Sequence, residues 1–375
     1  MLRALSTQLV GSYTKPNWLI RHQRVTAPFG DDSFWRPDAE VRQEALDDAT
    51  RLAIVDQERA GLDLVTDGEQ RRQRYDTYFF RFGGLDTKEL GPWQMGPRDL
   101  SFVDVEPDVA ARLSTARAAR VIGDITWQGP TAVEDLRFLK RHTSLPVKMT
   151  VIGPLTTACR LVNEHYANEE AVGMAAAAVI NQELRALAAE GVDVLQVDEP
   201  DFHFRHDQAS KWGTRALDAA LEGVAATTVV HVCYGYATIG HKRVDPNYGS
   251  VLELIAASQA DGVSLEYEQP GHGPEVLRHC GDKAVVLGLL NLGTHEIETT
   301  AHVAARVRAA LEVVPPERLH LAPDCGMWFL PRDVAFAKLR TMAAAAELIR
   351  GELGCSEETY GVKAVADPTR SANVP

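Results

Sequence analysis

The sequence predicts an α/β protein, a (β/α)8 TIM barrel, and three observations carry that expectation. Eight short runs rich in Val, Ile and Leu recur along the chain, which is how strands buried on both faces of a parallel sheet read. Longer segments with helical spacing lie between them, as crossover helices require. Several of the runs end in a polar or Gly/Pro cluster, at the end of the strand where such a barrel carries its functional loops. A length of 375 residues would allow two or three domains at ~150 residues each. A barrel with one insertion reaches the same size, and no internal repeat or linker interrupts the chain. Residues 1–375 are therefore expected to form a single domain.

The strands are expected at 8–12, 62–66, 147–152, 192–197, 228–233, 262–265, 284–290 and 318–321. Helical patterns cover 39–60, 132–142, 169–190, 301–311 and 333–353. Ala60-Gly61 and Glu190-Gly191 read as helix stops that lead into the next strand. The second and third strands are about 80 residues apart, far more than one crossover needs. Within that gap, residues 83–130 read as an irregular or β-hairpin insertion.

Composition narrows the class. Hydrophobic residues make up 45% and charged residues 24%, which excludes a disordered chain. The net charge is −13 with no long basic run, so no nucleic-acid partner is expected, since phosphate contacts need clustered Lys and Arg. The longest strongly apolar stretch, 171–180, is about half a membrane span, and no secretory signal is evident at the N-terminus. Cysteines stand at 159, 233, 280, 325 and 355, too few and too scattered for a disulfide framework. The expected setting is the cytoplasm, without membrane association and with reduced thiols.

His231-Val232-Cys233 closes the fifth expected strand. Residues i and i+2 on a strand share a face, so imidazole and thiolate can converge on one ion. Later strand ends add Glu266 in VSLEYE and Cys325 in APDCGM. A His, Cys, Glu, Cys set suits zinc better than magnesium or calcium. The spacing leaves a second reading open, of buried structural cysteines beside a core histidine. Cys159, Cys280 and Cys355 have no comparable partners and read as small hydrophobes or exposed thiols. His203, His206 and His241 are expected on loops over the barrel mouth.

A second constellation is acidic. Glu69 follows the second strand, Asp198 the fourth, and Ser12 the first. A hydroxyl and two carboxylates there could hold an ammonium group and orient an amino-acid-like substrate. Carboxylates cannot neutralise that substrate's own carboxylate, so backbone amides near Gly11 and Ser12 would have to serve.

Taken together and in order, VGSYTKP, TDGEQ, VIGP, LQVDEP, HVCYG, VSLE and PDCGM resemble the catalytic module of cobalamin-independent methionine synthase, from about residue 8 to 352. The resemblance implies a zinc-dependent barrel that methylates the sulfur of homocysteine. Matched motif by motif, it implies His231, Cys233, Glu266 and Cys325 as zinc ligands, and Ser12, Glu69 and Asp198 as homocysteine contacts. Glu268 is an alternative to Glu266, two residues on along the same face. The chemistry agrees: a thiol with a pKa near ~8.5 is mostly protonated at neutral pH, and zinc binding presents it as thiolate to an electrophilic carbon.

The chain also departs from the long members of that family, which are double barrels about twice this length. They carry an Asp and a His for proton transfer at the seventh strand end, where this chain has Asn291 and Gly293. His295 is the nearby substitute. The alkyl donor is accordingly open between a folate, methylcobalamin or a methylated corrinoid partner protein, and an epoxide. The resemblance thus implies a 5-methyltetrahydropteroyltriglutamate- or methylcorrinoid-homocysteine S-methyltransferase. The alternative is an enzyme like the epoxyalkane:coenzyme M transferases, in which a zinc-bound small thiol opens an epoxide. A non-catalytic barrel that binds zinc or a partner is the reading from another class. Tyr75, Tyr78, Phe79, Phe80 and Trp93 could form an aromatic donor site or simply pack in the core.

Overall fold

Runs of Val, Leu and Ile offer no polar side to water, so they are stable only when covered on both faces. The computed structural model of the chain, which describes residues 2–22, 32–75, 81–92, 117–234 and 248–354, places them that way. Its named strands are β1 (Gly83–Pro92), β2 (Arg117–Thr126), β3 (Lys148–Ile152), β4 (Val162–Asn163), β5 (Val194–Asp198), β6 (Thr227–Val232), β7 (Gly262–Leu265), β8 (Ala284–Gly288) and β9 (Leu319–Ala322). Strands β3, β5, β6, β7, β8 and β9 form one six-stranded parallel sheet in that order. They fall within two residues of the expected six.

The first two expected strands, 8–12 and 62–66, are reduced to isolated parallel bridges. Thr7 bridges Leu321 of β9, Gln8 bridges Leu64, and Val65 bridges Val147 beside β3. The reason lies in the backbone beyond Val10, whose polar groups leave the ladder. Gly11 O accepts from Thr66 Oγ1 at 2.8 Å, Ser12 O accepts from Met327 N–H at 2.9 Å, and Tyr13 N–H donates to Gly68 O at 3.0 Å.

The crossover helices are α1 (Ala39–Ala60), α2 (Val133–His142), α3 (Pro154–Cys159), α4 (Glu169–Ala189), α5 (Thr214–Leu221), α6 (Tyr248–Ala256), α7 (Thr300–Leu311) and α8 (Arg332–Leu353). Two begin on side-chain caps: Asn168 Oδ1 accepts from Ala171 N–H at 2.9 Å, and Thr299 Oγ1 from His302 N–H at 3.1 Å. Helix α8 packs against α1 and α7, and α4 against α5. No helix among the described residues is long and apolar enough to cross a membrane.

In the 83–130 insertion, β1 and β2 pair as an antiparallel hairpin and β4 adds parallel to β2. Residues 93–116 lie outside the described residues. The hairpin is tied back through Glu183 on α4, which accepts from Thr131 N–H, Ala132 N–H and Trp127 Nε1.

The main core runs between sheet and helices. A separate small cluster takes Val10 and Leu64 together with Val194, Val229, Val286 and Ala322, one each from β5, β6, β8 and β9. Alternation along a strand places Gln196 and Asp198 on the same face as Val194, and His231 on the face of Val229. That face therefore turns from apolar to polar toward the C-terminal strand ends, where the functional residues collect.

Candidate metal centre and the adjoining acids

His231 is the fifth residue of β6, paired in register with Asp198 on one side and Ser264 on the other. Cys233 follows two residues later, and Cys325 sits in the turn after β9. Ligand atoms of His231, Cys233 and Cys325 all lie within 4.8 Å of one another, and all three residues are buried. His231 Nδ1 is hydrogen-bonded to Ser264 Oγ at 3.0 Å, while its Nε2 is buried with no hydrogen-bond partner. An imidazole fixed at one nitrogen and aimed with the other into a pair of sulfurs is the arrangement of a metal ligand.

The electrostatics point the same way. Contact with the Cys233 sulfur, then burial and the charge of Glu266, push the Cys325 thiol well above its ordinary value. Burial alone would lower the His231 pKa, but Cys233 and Asp198 outweigh it and hold it above its ordinary value. Two sulfurs and an imidazole in so dry a place are deprotonated together only around a cation. The donor set fits a borderline-soft one.

Glu266 follows β7 and is buried. Its Oε1 accepts from Tyr234 N–H at 3.2 Å, and its own carbonyl accepts from Tyr248 Oη at 3.1 Å. It thus stands beside Cys233-Tyr234 but outside the tight group of three. Glu268, the alternative, is committed elsewhere: Oε1 meets His302 Nε2 at 2.6 Å and Oε2 accepts from Arg306 Nε at 2.9 Å.

The adjoining acids come from neighbouring strand ends. Asp198 Oδ1 accepts from Gln196 Nε2 at 2.7 Å. Burial pushes its carboxyl up to about 7, against the pull of His231. Glu69 Oε1 accepts from Thr150 Oγ1 at 2.8 Å and faces Arg72 Nη1 at 3.7 Å. The Glu69 backbone is in the left-handed region at φ 54°, a strained state for a residue with a Cβ. It is held there by Lys15 Nζ, which donates to Glu69 O, and by Asp67 Oδ1, which accepts from Glu69 N–H at 2.9 Å. Gly11 is needed for close approach, because a Cβ there would sit 2.5 Å from Glu69 Oε1 and 2.8 Å from Thr150 Cγ2. Ser12 is buried beside it and is joined to the Cys325 turn through Met327 N–H.

The loop placement of His203 and His206 is corrected, and the other singled-out residues find their places. His203 is not a loop decoration: it is buried on the short helix Asp201–Phe204, its ring 4.3 Å from that of Tyr234. His206 is tied to Ser250 Oγ at 2.7 Å. His295 is exposed. Asn291 Oδ1 accepts from Gly293 N–H at 2.8 Å and so serves its own turn. Cys159 and Cys280 are buried as small hydrophobes. Tyr75 is half-buried with the Arg160 guanidinium 5.7 Å from its ring, while Tyr78, Phe79, Phe80, Trp93, His241 and Cys355 lie outside the described residues.

Three contributors escaped the sequence reading. Asp324 accepts the N–H groups of Tyr267, Glu268 and Gln269 at 3.2, 3.0 and 2.6 Å, and so fixes the turn that carries Glu266. Lys15 is a buried cation beside Glu69, drawn down by burial to about 7. Lys148, fully buried, donates to Gln8 and Gln196, and burial likewise draws it down to about 7. Signals existed only for the first two, Asp324 beside Cys325 and Lys15 within VGSYTKP.

The profile of the family described as "Cobalamin-independent synthase, Catalytic domain" matches residues 5–348. A methionine synthase of Saccharolobus solfataricus is 31% identical over 358 residues, covering 94% of this chain and 97% of that protein. The structure of a B12-independent methionine synthase from Shewanella sp. W3-18-1, in complex with selenomethionine, superposes with a TM-score of 0.80. It is 32% identical and covers 94% of this chain and 100% of that one. A methyltransferase from Methanosarcina mazei, at 18% identity and a TM-score of 0.57, shares the fold.

Proposed function

The chain belongs to the family of cobalamin-independent synthase catalytic domains, and we propose that it is a zinc-dependent thiol S-methyltransferase that converts homocysteine to methionine. The observation that carries the proposal is the buried convergence of His231, Cys233 and Cys325 beside two acids from adjoining strand ends. The selenomethionine complex of the Shewanella relative supports an amino-acid thioether as product. We also read the chain as one domain built on a closed (β/α)8 barrel. The parallel bridges at Thr7, Gln8 and Val65 support that reading.

His231, Cys233 and Cys325 would hold the zinc, with Glu266 as the fourth ligand. When bound, zinc supplies the Lewis acidity that makes a thiol sulfur nucleophilic at neutral pH. Asp198 and Glu69 take the ammonium group of the substrate, and the backbone around Gly11 and Ser12 takes its carboxylate. Holding both ends of the amino acid points its sulfur in one direction, which converts binding into alignment with the donor methyl. The methyl–donor bond breaks as the sulfur–methyl bond forms, and the thiol proton balances the charge on the leaving group.

The test is to incubate the zinc-loaded protein with homocysteine and a panel of methyl donors: methylated folates, methylcobalamin and methylated corrinoid protein. Epoxides with coenzyme M form a parallel arm. Mass spectrometry of the thioether is expected to give methionine. Product only from coenzyme M and an epoxide, or methionine formation unaffected by complete zinc removal, would overturn the proposal.

A further inference from the structure

Lys148 opens β3, and its side chain is fully buried; nothing in the reaction described above uses it. Its ammonium group donates to Gln8 Oε1 at 2.7 Å, to Gln196 Oε1 at 3.0 Å and to the carbonyl of Leu9. Gln196 in turn donates from Nε2 to Asp198 Oδ1 at 2.7 Å. A lysine ammonium has three donors and no acceptor. The three atoms that face it are all oxygens, and Gln196 accordingly turns its carbonyl to Lys148 and its NH2 to Asp198.

We propose that Lys148 is a positioning residue for substrate recognition: through the Gln196 amide it fixes the Asp198 carboxylate as a receptor for the ammonium group of the thiol substrate. This rests on the reading of Asp198 as an ammonium contact. Without Lys148 the Gln196 amide is at liberty to rotate. Its carbonyl then opposes a carboxylate oxygen, and Asp198 loses the donor that held Oδ1. Since Lys148 never meets the substrate, it should govern only the part of affinity that depends on the amino group.

That property separates positioning from plain structural support. Binding of homocysteine and of 4-mercaptobutyrate, which lacks only the amino group, is measured by calorimetry on the zinc-loaded protein. Wild type is expected to prefer homocysteine. Lys148→Met should weaken homocysteine about tenfold, the loss of one hydrogen bond to a charged group. Binding of 4-mercaptobutyrate should change less than about twofold, within the ~0.4 kcal/mol that such a ratio represents.

Gln196→Met, which leaves Lys148 in place, should reproduce the effect if the lysine variant fails to fold. Gln8→Met, which removes only the third partner, should leave the preference intact. In an Asp198→Asn background, Lys148→Met should cost nothing further. If wild type prefers homocysteine and Gln196→Met retains that preference, the relay is wrong, and the reading of Asp198 stands where Asp198→Asn alone abolishes the preference. If wild type shows no preference, the reading of Asp198 fails and the relay with it. Equal weakening of both thiols in the lysine and glutamine variants would mark a structural role and overturn the proposal.

Discussion

Replacing Asp324 by Asn exchanges one anionic oxygen for an amide donor in a carboxylate that accepts three backbone N–H groups. Oδ1 takes Tyr267 and Glu268 at 3.2 and 3.0 Å, and Oδ2 takes Gln269 at 2.6 Å. The amide keeps one oxygen for the first pair and turns its NH2 toward the third donor. A hydrogen bond to a charged group contributes about 1.5–3 kcal/mol, and opposing donors add to the loss, so a destabilisation of about 3 kcal/mol is expected. Unfolding entropy of ~2.1 cal/mol/K per residue over 375 residues makes that a fall in Tm of about 4 °C.

A local effect should accompany the global one. The turn carries Glu266, and Cys325 is the next residue along the chain, so zinc affinity is expected to drop at least about tenfold. Thermal unfolding followed by circular dichroism, and zinc competition against a chromophoric chelator, read the two effects separately. Gly288→Ala attacks the same carboxylate from the opposite side. A Cβ there would run into Asp324 Oδ1 and stand 2.8 Å from Asp324 Cα and Leu265 O, and backbone atoms cannot yield as a side chain can. It should reproduce the loss of metal affinity. An Asp324→Asn protein with unchanged Tm and zinc affinity would refute the account of how this turn is held.

Cys233→Ser and Cys325→Ser should each lose stoichiometric zinc by elemental analysis, and methionine formation with it. Full metal content in both would remove them as ligands. Gly11→Ala places a Cβ 2.5 Å from Glu69 Oε1; it should raise KM for homocysteine about tenfold or more with zinc content unchanged, and an unaltered KM would detach Glu69 from the pocket. His320, bonded to Ser6 Oγ at 2.8 Å, is drawn by burial from 6.5 down to about 4. Between those values the unfolded chain binds a proton the folded one refuses, so stability is lost as pH falls through that window, by an amount on the order of 3 kcal/mol. His320→Asn should shrink the loss measured by urea unfolding between pH 7 and 4.5. An equal loss in both proteins would assign the acid sensitivity to other groups.

What could be read in the sequence was what depends on neighbours along the chain. The six central strands are continuous apolar runs, and their positions follow from that alone. His231 and Cys233 share a face because their spacing is two. Choosing Glu266 over Glu268 was another matter. Both follow β7, two residues apart, and it is His302 and Arg306 of α7, some 35 residues further along, that engage Glu268. The first two expected strands form only isolated bridges, because their apolar character persists after their backbone groups have left the ladder. His203 was misplaced because a histidine in a polar stretch reads as surface, whereas here Tyr234 and Tyr248 enclose it. Lys148 could not have been found at all. A lone lysine opening an apolar run carries no mark that its partners stand on β5 and on the segment around Gln8 and Leu9.

Asp198 and Glu199 show how the fold divides labour between adjacent residues of one type. Both are buried, and burial pushes them up to about 7 and about 8, so perturbation alone would nominate either for chemistry. Strand alternation sends them to opposite sides. Glu199 faces the helical layer, where its oxygens accept from Leu155 N–H at 2.9 Å, Thr156 N–H at 2.8 Å and Thr156 Oγ1 at 2.7 Å. It is thereby consumed in holding the start of α3, next to the Val-Ile-Gly-Pro turn. Asp198 faces the polar side of the sheet, where among the described residues only its Oδ1 is engaged, by Gln196. The carboxylate with unused acceptor capacity is the one that can serve a ligand. The saturated one fixes the strand end from which the other projects. Substituting Glu199 should therefore cost stability first, and substituting Asp198 should cost recognition first, although the two stand side by side in the chain.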